Sequence, residues 1–134
     1  MAFQIQISAL YAGLNALVLL TLAFLVVRQR GKSGLGIGDG PAEGPLHRAI
    51  RAHGNAVENV PVILVLLVIL ELSGASVILL HGVGAGLLLG RVLHGFGLSR
   101  SGGTSIPRLV GTMLTWTVLI VAAVACVHYA IMSP

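Results

Sequence analysis

The residues best able to do chemistry in this chain stand in apolar surroundings. The run Leu46-His47-Arg48-Ala49-Ile50-Arg51-Ala52-His53-Gly54-Asn55-Ala56-Val57-Glu58-Asn59 leads straight into the apolar block from Val60 to Leu70. On a helix turning about 100° per residue, Arg48, Arg51, Asn55, Glu58 and Asn59 fall within an arc of roughly 100°, with His53 beyond it. Glu58 lies about 15 Å along the axis from Arg48 at 1.5 Å per residue. A charge at such depth in a membrane costs at least ~2.5 kcal/mol even on permissive insertion scales. Glu58 is therefore expected to face protein or water and to pair with arginine. Further on, Arg91 and His94 stand three residues apart and so share a helix face, and Arg108 follows Pro107. These residues make a cationic, hydrogen-bonding cluster with Glu58 as its one carboxylate. Two arrangements fit. In one, a salt-bridge lattice, arginines neutralise Glu58 and snorkel to the interface. In the other, an anionic ligand brings the missing negative charge, and the surplus of arginines favours this binding site.

The elements that must position these residues are membrane helices. Of 134 residues, 56% are hydrophobic and 9% charged, against roughly 25% charged in soluble domains. The mean hydropathy is +0.99. Together these values exclude a disordered chain, a nucleic-acid partner and almost any water-soluble globule. A membrane crossing needs about 20 mostly apolar residues, and four such spans are expected, at about 3–28, 46–72, 76–98 and 106–132, within a single membrane domain 1–134. The first is too long for a signal-peptide core and has no basic segment before it. Six glycines with Pro41 and Pro45 make 31–45 a linker, whereas the connection around Ser73 to Ala75 is so short that spans two and three form an antiparallel hairpin. Thr104, Ser105 and Pro107 are helix-starting residue types ahead of span four.

With four spans, Arg28, Arg30, Lys32, Arg48, Arg51, Arg91, Arg100 and Arg108 all fall on one side of the membrane. The positive-inside rule makes that side cytoplasmic and leaves both termini on the non-cytoplasmic side. Other features read as structural. Gly82, Gly86 and Gly90 recur at every fourth position, a small-residue face for close helix packing. His47 and His53 are six apart and share no helix face; with a lone cysteine, Cys126, no metal site is expected. Glu71 is expected to end span two at the outer interface. The glycines from Gly34 to Gly40 match neither a dinucleotide fingerprint nor a phosphate loop.

The run from Arg51 to Pro61, joined to Gly90-Arg91-Val92-Leu93-His94, resembles the family of membrane-associated proteins in eicosanoid and glutathione metabolism (MAPEG). The resemblance spans nearly the whole chain and is closest to the small bacterial inner-membrane branch. It implies a homotrimer of all-α, four-helix membrane subunits that binds glutathione, as co-substrate, between neighbours near the cytoplasmic face. It also implies that Asn55 and Glu58 hold the glutathione peptide, with Glu58 at its amino end, and that Arg51 sits beside them in a more structural role. By the same resemblance Arg91 and His94 line the cleft, Arg28 reaches a glutathione carboxylate, and Arg108 stabilises the thiolate. Two positions depart from the eicosanoid synthases: Gly54 replaces an arginine, and Leu98 replaces a tyrosine four residues after the span-three histidine. One anion contact and one hydroxyl near the sulfur are thereby lost. The expected function is a membrane-bound glutathione transferase or peroxidase-like enzyme acting on a lipophilic small molecule from the bilayer. The alternative is a non-catalytic relative binding a lipid or other anionic amphiphile.

Overall fold

The computed structural model describes residues 5–100 and 103–132, and these form four α-helices: α1 (Gln6–Ser33), α2 (Pro45–Leu72), α3 (Val77–Arg100) and α4 (Ile106–Met132). All four are long and apolar enough to cross a membrane. Helices satisfy every backbone hydrogen bond internally, which a hydrocarbon environment demands. The chain is thus an all-α membrane bundle.

The expected start of the first span at Phe3 lies outside the described residues. Its other end differs from expectation: α1 runs past Arg28 to Ser33. Arg30 and Lys32 in the last turn complement the negative end of the helix dipole, and Gly34, at φ 69°, supplies the left-handed residue that closes the helix. Gly31 is therefore helical, and the linker begins at Gly34. Pro45 opens α2, where a missing N–H costs nothing. The helix then continues through Pro61, which is exposed.

Helix α2 packs against all three others, α1 against α3 and α3 against α4, whereas α1 and α4 make no contact among the described residues. Three helices therefore form an arc around α2 and leave one side of it open. Ile63, Leu67 and Leu70 of α2 meet Leu80, Val83 and Leu87 of α3 and Ala122 of α4 in the main apolar core. At the end away from the arginines, the Glu71 carboxylate accepts hydrogen bonds from the Ile7 N–H at 2.8 Å and the Ser8 N–H at 2.7 Å. Helix α1 has no side-chain cap of its own, so Glu71 caps it from α2. The expected helix-ending residue thus also ties two helices together.

The glycine stripe is only partly a packing face. Gly86 and Gly90 lie against Val118 and Thr115 of α4, but a Cβ at Gly82 would meet nothing within 4 Å. The reciprocal residue on α4 is Gly111, where a Cβ would stand 2.5 Å from the His94 nitrogen and 2.6 Å from the Gly90 oxygen. Both neighbours are backbone, which cannot move aside without separating the helices. Gly111→Ala is expected to cost about 1–3 kcal/mol, the usual range for overpacking, while Gly82→Ala is neutral or mildly stabilising. Unfolding titrations of the two variants in mixed detergent check this; equal stability of the pair would refute the packing argument.

Candidate functional site

At the arginine-bearing end, α2, α3, α4 and the end of the linker enclose a cavity of about 210 Å³. Its walls are Glu43, His47, Arg48, Arg51, Asn55, His94, Leu98 and Arg108. His47, Arg48, Arg51 and Asn55 recur at three- and four-residue spacings on α2, so successive turns aim at the same space. His94 and Leu98 do the same from α3, and Arg108 projects from the first turn of α4. Three arginines and one acidic residue, Glu43, thus line the same cavity.

The linker contributes through its backbone. The Arg48 Nη1 donates to the Glu43 carbonyl at 2.6 Å, and Glu43 sits at φ 60°, a left-handed conformation uncommon for a residue with a side chain. The Nε of Arg48 is buried and finds no acceptor among the described residues, and Ser105 Oγ, at the start of α4, is likewise buried without a partner. An unsatisfied buried donor on a charged group is costly, and an anion bound at the cavity wall would supply its acceptor.

Behind the cavity lies Arg91, which is only 2% exposed. Its Nη1 donates to Asn55 Oδ1 at 2.7 Å, its Nε donates to Thr115 Oγ1 at 3.1 Å, and Nη2 donates to the same hydroxyl. Thr115 Oγ1 donates in turn to the Gly111 carbonyl at 2.8 Å. One guanidinium therefore joins α2, α3 and α4, and it fixes the rotamer of Asn55, whose amide lines the cavity. No carboxylate takes part in this network.

Of the residues singled out by sequence, Arg51, Asn55, His94 and Arg108 line this one cavity, with Arg91 directly behind them. Arg28 and Glu58 do not line it. Arg28 is exposed, and α1 continues for five more residues beyond it to Ser33. Glu58 is exposed as well, and it pairs with no arginine among the described residues; Asp39 in the linker approaches His47 instead, at 3.9 Å. The expected Glu58–arginine pairing is not made within one chain: Glu58 stands one turn beyond Asn55 on the same arc, past the end of the cavity lining, and is exposed. Sequence reasoning missed Thr115 and Glu43. Thr115 stands seven residues after Arg108, two turns along the same face, which is a signal that spacing alone carries. Glu43 reaches the cavity only because the linker folds back, and no periodicity announces that.

Beyond the cavity, α2 has an exposed pattern of its own. Glu58, Val62, Val65, Ile69 and Leu72 continue the register of Arg51 and Asn55 at alternating spacings of four and three, a sustained seven-residue repeat. Val62, Val65, Ile69 and Leu72 are 45–58% exposed.

Comparison with known proteins agrees with this architecture. The family model described as MAPEG family matches residues 8–128. The chain is 39% identical over 124 residues to inner membrane protein YecN of Escherichia coli K12, covering 92% of each chain. The same protein from Escherichia coli O6:H1 matches equally, at 39% identity over 124 residues. No solved structure matches the chain.

Proposed function

The chain belongs to the MAPEG family, and from that premise we propose that it is a glutathione-dependent transferase or peroxidase-like protein of the inner membrane, acting on lipophilic substrates. The observation that carries this reading is the cavity in which Arg48, Arg51 and Arg108 face only Glu43. A tripeptide with two carboxylates suits that surplus of positive charge. The buried, acceptor-less Nε of Arg48 and the amide of Asn55 supply directed hydrogen bonds for it.

Within one chain the cavity holds about 210 Å³, below the ~300–1,000 Å³ of typical small-molecule sites, which supports a site completed by a neighbouring subunit. We assign that contact to the open side of α2: in a homotrimer, three such faces meet, burying the repeat from Val62 to Leu72. Glu58, unpaired in the single chain, then lies at the junction between subunits. There it is within the reach of a peptide amino group held by the cavity, while Arg28 of α1 closes the site from its edge. With the basic end cytoplasmic, glutathione enters from the cytoplasm and the electrophile from the bilayer.

Glutathione supplies the sulfur nucleophile, which forms a bond to the electrophilic carbon of the substrate as the leaving group departs. Arg108 favours its thiolate, the reactive form, by placing a positive charge at the cavity wall. Asn55, held by Arg91, orients the peptide, and Leu98 keeps water from the inner wall. Leu98 also favours a second reading, a non-catalytic relative that binds an anionic amphiphile, because no hydroxyl stands at that wall to assist the sulfur.

Calorimetry on the detergent-solubilised protein separates the two. Binding heat with glutathione is expected, with affinity falling in Arg108→Ala by roughly 10- to 150-fold, the equivalent of one charged hydrogen bond worth about 1.5–3 kcal/mol. Absence of heat at millimolar glutathione would overturn the proposal.

A further inference from the structure

A second cavity, of about 380 Å³, lies on the other side of α3, in the crevice between α1 and α3. Its walls are mostly apolar: Val18, Thr21, Leu22 and Leu25 from α1 face Val92, Gly95 and Phe96 from α3, with the buried Arg91 at its inner side. The two helices run parallel, both directed toward the basic end, so the crevice has an inner, apolar part and a basic mouth. Gly95 lets the helices touch at one level, where its Cβ position would lie 3.1 Å from Leu22 Cδ2. At the mouth stand Ser99 and Arg100, and the Arg100 guanidinium lies 4.2 Å from the centre of the Phe96 ring. Arg100 is exposed and makes no ion pair among the described residues. On α1, Val18, Thr21 and Leu25 recur at helical spacing and so form one continuous wall.

We infer that this crevice is a binding site for an anionic phospholipid, one acyl chain lying between α1 and α3 and the phosphate at Arg100. Charge complementarity selects the occupant: the exposed Arg100, with no carboxylate among the lining residues, crowns an apolar slot, whereas a zwitterionic lipid would bring its own cation to the same place. The level fits too, because the crevice opens at the end of the bundle where the phosphates of the adjoining leaflet lie. Parallel α1 and α3 are in contact on the arc's outer side, away from the open face of α2. A trimer built on that face therefore leaves the crevice turned to lipid. Thr21 and Arg100, the two residues tested below, line this crevice and not the glutathione cavity, although the buried Arg91 stands between the two.

Native mass spectrometry of the full chain in a mild detergent, titrated with phosphatidylglycerol or with phosphatidylcholine of the same acyl chains, tests it. Phosphatidylglycerol is expected to remain bound and phosphatidylcholine to be lost at equal concentration. Arg100→Gln should weaken phosphatidylglycerol by about fivefold, the factor equivalent to ~1 kcal/mol per basic residue at a lipid surface. Thr21→Trp, which fills the slot without changing charge, should displace the lipid while the circular dichroism of the bundle is unchanged. Equal retention of the two lipids, or wild-type retention by both variants, would overturn the inference.

Discussion

Arg91→Ala is expected to lower the unfolding free energy by about 3–5 kcal/mol, the range for truncating a large buried side chain. Three effects add. A cavity opens where α2, α3 and α4 converge. Thr115 Oγ1 loses both of its guanidinium donors, and Asn55 Oδ1 loses its own. Each stranded acceptor costs about 1–3 kcal/mol when buried. The site should suffer along with the fold, because the Asn55 amide is then free to turn away from the cavity. Thr115→Val separates the two roles: it keeps the shape of the side chain but removes the acceptor, and leaves the guanidinium with Asn55 alone. Its expected loss is about 1.5–3 kcal/mol, that of a hydrogen bond to a charged group. Unfolding titrations in mixed detergent measure both variants. Wild-type stability in each would mean that the buried guanidinium contributes nothing to holding the three helices together.

Val65→Arg is expected to convert the proposed trimer to single chains. Val65 is 58% exposed and sits midway along the apolar part of the α2 repeat. In a trimer packed on that face, three guanidinium groups would converge with no carboxylate at their level. An arginine at the centre of a membrane helix costs about 2.5–3.5 kcal/mol even on the insertion scale, and like-charge repulsion adds to it. The same substitution leaves the helix arc untouched, so the fold of each chain persists. Sedimentation in density-matched detergent, or native mass spectrometry, reads the subunit number directly. A Val65→Arg protein that keeps the wild-type assembly would remove α2 from the interface. Loss of glutathione binding together with loss of assembly would show that the cavity needs its neighbour.

Much of the architecture was legible without coordinates. Four helices follow from apolar length, and their ends were placed within a few residues except at α1. There Arg30 and Lys32 lie beyond the expected end of the span at 28, yet they stabilise a helix end by opposing its dipole. The convergence of Arg51, Asn55, His94 and Arg108 was also legible, because helical spacing puts them on faces at one end of the bundle. Two things were not. Glu58 shares the arc of Arg51 and Asn55 in angle, but angle alone does not say how far along the helix the cavity reaches. Gly82 and Gly86 likewise have the same spacing as Gly86 and Gly90, and only one pair meets another helix.

What the sequence by itself determined is the class of the molecule and the poverty of its negative charge. A chain 9% charged, with its bases gathered at one end, has to lie in a membrane and has to find anions or water for its arginines. Only the tertiary structure decided how each arginine is served. Arg91 is satisfied inside the bundle by neutral oxygens of Asn55 and Thr115, from two different helices. Arg48, Arg51 and Arg108 line a cavity with one carboxylate between them, and Arg100 crowns an apolar crevice. The physical reason is that spacing along a helix fixes which side chains share a face, while the partner of that face comes from helices remote in sequence. A cation's energy in a membrane depends on that partner.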